Sequence, residues 1–416
     1  MSARDTAIGA LRLEDQVSID VPYESGMNWH VVAPTIEAEL NEFSRRARDT
    51  LDIGNINQDV EWLAVSHNWP KNELLILATE HGKRVTGVAT FKRGTTRLDA
   101  MVGPVKLLSW ETPQFQIHRG PVLSPGDRSG VGDCFANLCA RMEARAVVFA
   151  GDVLVGSDMH AEISDPKSRT NQRFLVLPWG DEEPHCGIRW EGSVEAYLKS
   201  ISRNTARDLK RRHKRLFGDP TLEFKLKCFQ AAEEVKSFIS DAMIVSKKTW
   251  QQKEHGIGIS FGGDAERTIQ FAARAGNFLG YVLYQQGNPV AFDYCLIVGK
   301  TCVMKQKGYD PAIASLHPGT AMLQEMLYDF ERKRLPVHYL DFMPLNNVFK
   351  LRTSNDKPLA RNYYLFKRSV PGYCQYTVLL VAEALTRLGK RVSALTRKAE
   401  EPKVQETRNE SEDRSD

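Results

Sequence analysis

The chain has 416 residues, 42% of them apolar and 26% charged, with a net charge of +4. This length gives two domains of ordinary size, each large enough to bury its own core. The small net charge excludes nucleic-acid binding through the overall field, so any basic partner site is local.

The N-terminal segment MSARDTAIGALRLEDQ is polar and does not read as a signal peptide. The longest apolar stretch, 376–388, is interrupted by Glu383, Thr386 and Arg387, too early for a spanning helix. The seven cysteines are widely spaced and form no Cys-x-x-Cys pair. They are expected to be reduced, buried thiols of a cytoplasmic protein, with no metal site.

Residues 1–25 read as an irregular leader. Ile36, Leu40 and Phe43 put one apolar face on a helix over 36–48. Runs at 74–79 and 85–91, separated by His81-Gly82-Lys83, predict a hairpin. A strand over 115–123 ends in the turn Ser124-Pro125-Gly126-Asp127. Phe135, Leu138, Cys139 and Met142 then give a helical stripe. Apolar strands at 146–155 and 173–177 complete a first half. The turn-rich segment 178–192 is the boundary, so the domains are expected at 26–185 and 186–396.

The second half opens with a basic helix over 194–217 carrying Arg203, Arg207, Lys210, Arg211, Arg212, Lys214 and Arg215. A strand at 222–229, helices at 231–253 and 264–275, and strands at 278–285, 289–298 and 301–307 follow. Gln286-Gly287-Asn288 and Gly299-Lys300 mark the turns between these three strands. A helix from Pro318 to about residue 334, strands at 337–342 and 359–366, and a helix over 373–395 close the fold. From 397 to 416 apolar residues almost vanish, which predicts a disordered tail. Both halves contain strand, Pro-Gly turn, amphipathic helix and apolar strand, which points to a duplicated domain.

The segment His317-Pro318-Gly319-Thr320 carries the strongest chemical signal. Proline suits the first helical turn, Gly319 admits a ligand to the backbone, and the free amides of that turn favour an anion. A diphosphate is therefore expected on Pro318, Gly319, Thr320, Ala321 and Met322. The bland alternative is a well-capped helix start.

Four stretches carry a resemblance: SISRNTARDLKR at 200–211, QGNPVAF at 286–292, GYDP at 308–311 with LHPGT at 316–320, and YLDF at 339–342 followed by Phe349-Lys350. Over about residues 190–370 the chain resembles the acetyltransferase-fold proteins of the cellulose-biosynthesis (CelD-like) type. These are relatives of the GNAT superfamily and of the FemABX peptidyltransferases. The resemblance implies an α/β fold of two tandem GNAT-like domains with mixed sheets, the second one splayed at its centre. It also implies acyl-CoA, either acetyl-CoA or a longer acyl-CoA, as donor to an amine, for example an amino sugar or polysaccharide precursor, with neither a metal nor a covalent enzyme intermediate. An aminoacyl-tRNA donor, as in FemABX, and a catalytically degenerate binding module are the alternatives.

Direct transfer needs a base and oxyanion donors. Asp341, at the end of a strand, is the first candidate base, or else a structural carboxylate paired with Lys350. His317 stands beside the turn, as phosphate contact, titrating group or plain turn residue. Tyr309 and Tyr294 are candidate acids, Tyr294 being equally a strand aromatic. Arg203 and Arg207 of the basic helix, with Lys350 and Arg352, are candidate substrate-binding residues or solvated charges. The stretch MPLNNV at 343–348 lacks the glycines and the acidic residue that the resembling family carries there.

Overall fold

The computed structural model describes residues 27–68, 73–249, 264–344 and 347–400. The expected leader, the end of the helix predicted over 231–253, residues 345 and 346, and 401–416 of the expected tail lie outside these residues.

The first half runs β1 (His30–Val32), α1 (Glu37–Thr50), α2 (Val60–Ser66), β2 (Leu74–His81), β3 (Arg84–Val102), β4 (Val105–His118), β5 (Val122–Leu123), α3 (Gly130–Arg141), β6 (Val147–Leu154), α4 (Asp158–Ser164), α5 (Arg169–Arg173) and β7 (Phe174–Pro184). The second runs β8 (Gly187–Arg189), α6 (Val194–Ser200), α7 (Arg203–Phe217), β9 (Phe224–Phe229), α8 (Val235–Ser246), α9 (Asp264–Arg274), β10 (Phe278–Gln285), β11 (Asn288–Val298), β12 (Thr301–Tyr309), α10 (Pro318–Lys333), β13 (Tyr339–Asp341) and α11 (Val348–Thr353). β14 (Leu359–Lys367) and α12 (Val370–Glu400) end the described chain.

The turns follow from local chemistry. Gln286 and Gly287 both take positive φ, 49° and 79°, as a two-residue hairpin loop demands. Ser202 caps α7 by accepting the Thr205 amide, and α7 turns Leu209 and Leu216 inward. The expected basic helix is thus two helices, α6 and α7, broken at Ile201-Ser202.

Two mixed sheets result, ordered β1-β2-β3-β4-β6-β14-β7, with β5 beside β3, and β8-β13-β12-β11-β10-β9. They share one plan. A first strand and two helices precede a three-strand antiparallel meander, and a helix then leads to a strand parallel to the last of the three. The chain is therefore an α/β protein of two GNAT-like domains, each built on a mixed sheet.

Sheet membership departs from the expected domains after residue 358. β14 lies between β6 and β7 of the first sheet, hydrogen-bonded to both, and α12 packs against β3 and β14. Residues 359–396, assigned by sequence to the second domain, thus complete the first. The reason is geometric: β8, preceding the second meander, already occupies the place beside β13. The expected strand at 115–123 also differs. β3 and β4 form a longer hairpin reaching Val102 and Val105, since Leu98 and Ala100 bury against Leu379 and Ala382 of α12.

The second sheet is covered on one face by α6, α7 and α10, with Leu209, Met326 and Phe330 in the core. On the other, α8 and α9 bring Phe238 and Ile269 onto Phe278 and Phe292. Trp62 of α2 enters this second core and meets Phe271 of α9 edge-on at 5.2 Å, so apolar packing is continuous between the halves.

Candidate active site

β12 and β13 pair in parallel over three positions only, Thr301, Cys302 and Val303 against Tyr339, Leu340 and Asp341. β12 then continues to Tyr309, held on its other side by β11. A wedge opens along its free edge. The matching strands of the first sheet, β4 and β6, stay paired from Gln114 to His118, the last residue of β4, and leave no such wedge.

The second-sheet opening leads into a cleft of about 380 Å³, within the range of small-molecule sites. Of the residues expected from sequence, Tyr309, His317, Pro318, Gly319, Thr320, Met322 and Arg352 line it. Ala321 is fully buried in the core. His317 is left-handed, φ 52°, and its carbonyl accepts the amides of Thr320 and Ala321 at 3.0 and 3.3 Å. Two of the expected cradle amides are therefore used within the turn. Gly319 faces open space, where an added Cβ would meet nothing within 4 Å.

The cleft also gathers one arginine of the expected basic helix. Arg212 of α7 grips Asp208 through Nε and Nη2 and donates from Nη1 to Thr320 Oγ1 at 3.3 Å. Arg352 stands 3.6 Å from the same carboxylate. Burial, and then the Arg212 guanidinium, lower the His317 pKa. This rim presents cationic side chains at a helix N-terminus, an arrangement suited to phosphate.

On the cleft floor, Asp293 of β11 and Lys307 of β12 are cross-strand partners. Asp293 is 5% exposed, and its Oδ1 has no hydrogen-bond partner among the described residues. Burial pushes its carboxyl up to about 7, against the pull of Lys307. Burial brings Lys307 down to about 8, opposed by Asp293. The Lys307 ammonium lies 3.4 Å from the centre of the Phe349 ring. Two groups poised near neutrality inside a cleft are suited to proton transfer. The sequence signal for them was a lone acid in the apolar run of β11 and a lysine at the matching place on β12.

Several expected residues lie elsewhere. Arg203 and Arg207 are exposed and do not line the cleft. Tyr294 is buried in the core, its ring 6.1 Å from Phe238. Lys350 does not pair with Asp341; its Nζ donates to the carbonyls of Met343 and Pro344, both at 3.0 Å. Asp341 is 2% exposed and turned away from the cleft. Its Oδ1 meets His185 Nε2 at 2.8 Å and accepts the Met343 amide at 2.7 Å, while Oδ2 lies 3.5 Å from Arg119. His185 Nδ1 meets Asp152 at 2.9 Å, and Arg119 also binds Asp152 at 3.0 Å.

These four residues tie β13 to the end of β4 and to β6. Burial alone would lower the His185 pKa, but Asp152 and Asp341 outweigh it and raise it to about 9. Burial would raise Asp341, but His185 and Arg119 hold it below the usual carboxylate range. Asp341 is thus an ionised member of a buried junction, three residues into a strand that ends there.

Among the described residues, the helix start of the first half offers no equivalent anion seat. The first turn of α3 holds Asp133, 2% exposed, which accepts the Met27 amide at 2.9 Å and pairs with Arg169.

Residues 203–351, within the second half, match the family model described as an acetyltransferase (GNAT) domain. No curated protein sequence matches the chain. Among solved structures, FemX is similar over 83% of this chain and 99% of its own, at 11% identity and a TM-score of 0.57. The C-terminal domain of a putative lysylphosphatidylglycerol synthetase from Agrobacterium fabrum aligns over 82% of this chain and 97% of its own, at 11% identity and a TM-score of 0.49. A tandem GNAT protein from the clavulanic acid biosynthesis pathway aligns over 82% and 98%, at 10% identity and a TM-score of 0.40. At these identities the likeness to FemX is one of fold. Among the described residues no helix is long and apolar enough to cross a membrane.

Proposed function

We propose that the second domain transfers an acyl group from an acyl-CoA to an amine in the cleft beside Pro318. The observation that carries this reading is the parting of β12 from β13 after Val303, which runs into the cleft under Gly319. The residues present fit such a donor. Gly319 and Thr320 at the helix start, with Arg212 and Arg352 at the rim, would hold its phosphates. The free edge of β12 would receive the acyl arm, and its backbone amides would stabilise the oxyanion.

Asp293 takes the part that the sequence reading gave to Asp341. Its unpartnered Oδ1 accepts the proton of the attacking amine. As the carbon–sulfur bond breaks, Lys307 returns a proton to the departing thiolate, so charge on the floor is conserved. Tyr309 lines the same cleft, where it would contact the donor.

A calorimetric titration with acetyl-CoA tests the reading. Wild type is expected to bind, and Gly319→Val to lose at least tenfold in affinity while keeping its melting temperature, because the added side chain enters empty space. Absence of heat with acetyl-CoA and with longer acyl-CoAs would overturn it.

The exposed arginines of α7 favour a second reading, an aminoacyl-tRNA donor. Steeply salt-dependent tRNA binding, abolished by replacing Arg203 and Arg207, would select it.

A further inference from the structure

One face of the first sheet is covered by α3, α4 and α5. The other is covered at the β2 side by α1 and α2, and at its far end by α12. Between these covers runs a row fixed by strand register. Lys92 of β3 lies opposite Gln116 of β4, Gln116 opposite Phe149 of β6, and Phe149 opposite Tyr364 of β14. Direct cross-strand partners share a face, and all four are half-buried. His118, two residues beyond Gln116, joins them. Its Nε2 is 2.8 Å from Gln116 Nε2, and its ring meets Phe149 edge-on at 6.5 Å. Gly151, opposite His118, makes room for it, since a Cβ there would come within 2.8 Å of His118 Nδ1.

The second half supplies another cation to the same place. Lys305 is skipped by the β11/β12 register, where Tyr294 pairs with Gln306 but Cys295 with Met304. It stands two residues past Val303, where β12 leaves β13. Val303 pairs with Asp341, which Arg119, the residue after His118, reaches at 3.5 Å, so Lys305 belongs to the same neighbourhood, and its charge and those of Lys92 and His118 act against one another, whereas Lys307 lines the donor cleft. No described carboxylate forms an ion pair with Lys92 or Lys305. The nearest acids are already engaged: Asp341, which acts on Lys305, and Asp152, which acts on His118, are both held by His185 and Arg119. Burial lowers both lysines. Burial, and then Lys92, bring His118 down to about 4. Partly buried cations gathered without a counter-charge are costly unless an anion sits among them.

We propose that Lys92, His118 and Lys305 bind the phosphoryl group of a phosphorylated acceptor, whose ring lies along Phe149 and Tyr364. The word acceptor rests on the transferase reading; the anion site itself does not. Lys305 of this site and Lys307 of the donor cleft stand two residues apart on β12, so an amine carried by this molecule would meet the acyl group between them. Binding a dianion favours the charged form of all three basic groups, and so draws protons toward the site.

The test uses inorganic pyrophosphate as probe on the full chain saturated with CoA, which fills the donor cleft. Calorimetry at pH 7.5 in two buffers of different ionisation enthalpy is expected to show binding with net proton uptake. Lys92→Met and Lys305→Met should each weaken it at least tenfold, and Arg212→Met by less than twofold. Both lysine variants should melt no lower than wild type, which separates loss of the site from misfolding. Lack of pyrophosphate binding, or affinity unchanged in both lysine variants, overturns the proposal. If CoA itself fails to bind, the titration is run on unliganded Arg212→Met. Lysine-dependent binding there upholds the anion site while the donor reading falls, and its absence removes both.

Discussion

Asp293 and His185 show how burial and a neighbour decide what an ionisable residue does. Asp293 is buried with one oxygen unpartnered and a carboxyl near 7. The transfer rate is expected to rise with pH through about 7, where the carboxylate forms. Asp293→Asn should lower kcat by on the order of a hundredfold or more. A raised carboxyl pKa contributes stability at low pH that is lost as pH rises through the folded value. The same substitution should therefore raise the melting temperature at pH 8 and change it little at pH 4. A variant that loses both rate and stability at pH 8 would return Asp293 to the core.

His185 has the matching sign. Its raised pKa gives stability that is full below about 6.5 and lost as pH rises through about 9. His185→Ala leaves Asp152 and Asp341 facing each other with Arg119 alone. It should cost about 3 kcal/mol at pH 6, and less at pH 10, by urea unfolding.

At the scale of elements, the strand order decides which pieces can stand alone. β14 sits inside the first sheet between β6 and β7. A fragment covering 27–190 lacks it and exposes two unpaired strand edges over buried side chains. It is expected to show little fixed tertiary signal by near-ultraviolet dichroism, and to regain it when a 355–400 peptide is added.

Most elements were legible because their apolar spacing is local: α1, the β2–β3 hairpin, the β10–β11–β12 meander and the helix from Pro318. The exchange of β8 and β14 was not, since a nine-residue apolar strand reads alike in either sheet. The site was half legible for the same reason. Pro318, Gly319 and Thr320 are contiguous and carry their own signature. Arg212, Asp293 and Lys307 come together only through the α7–α10 packing and the β11–β12 register. The partners of Asp341 were not legible, because nothing near it in sequence announces His185, which lies 156 positions away.

The whole molecule is bound together by traded strands, by Trp62 in the second core, and by the Arg119–Asp152–His185–Asp341 junction. Its halves should not melt separately. A single calorimetric transition, with van't Hoff and calorimetric enthalpies equal, is the expected result. Phe91→Ala in the first core should shift it as a whole rather than split it, at a cost of about 3 to 5 kcal/mol.

Asp133 gives the two related halves different occupancies. In the first, a carboxylate of the protein itself is the permanent tenant of the helix start, locked by Arg169 and the Met27 amide. In the second, the first turn of the helix from Pro318 carries no acidic side chain. Each polypeptide should therefore handle one donor molecule at a time, and the equivalence point of a CoA titration should fall at one per chain. The duplicated half is left free to present the other reactant.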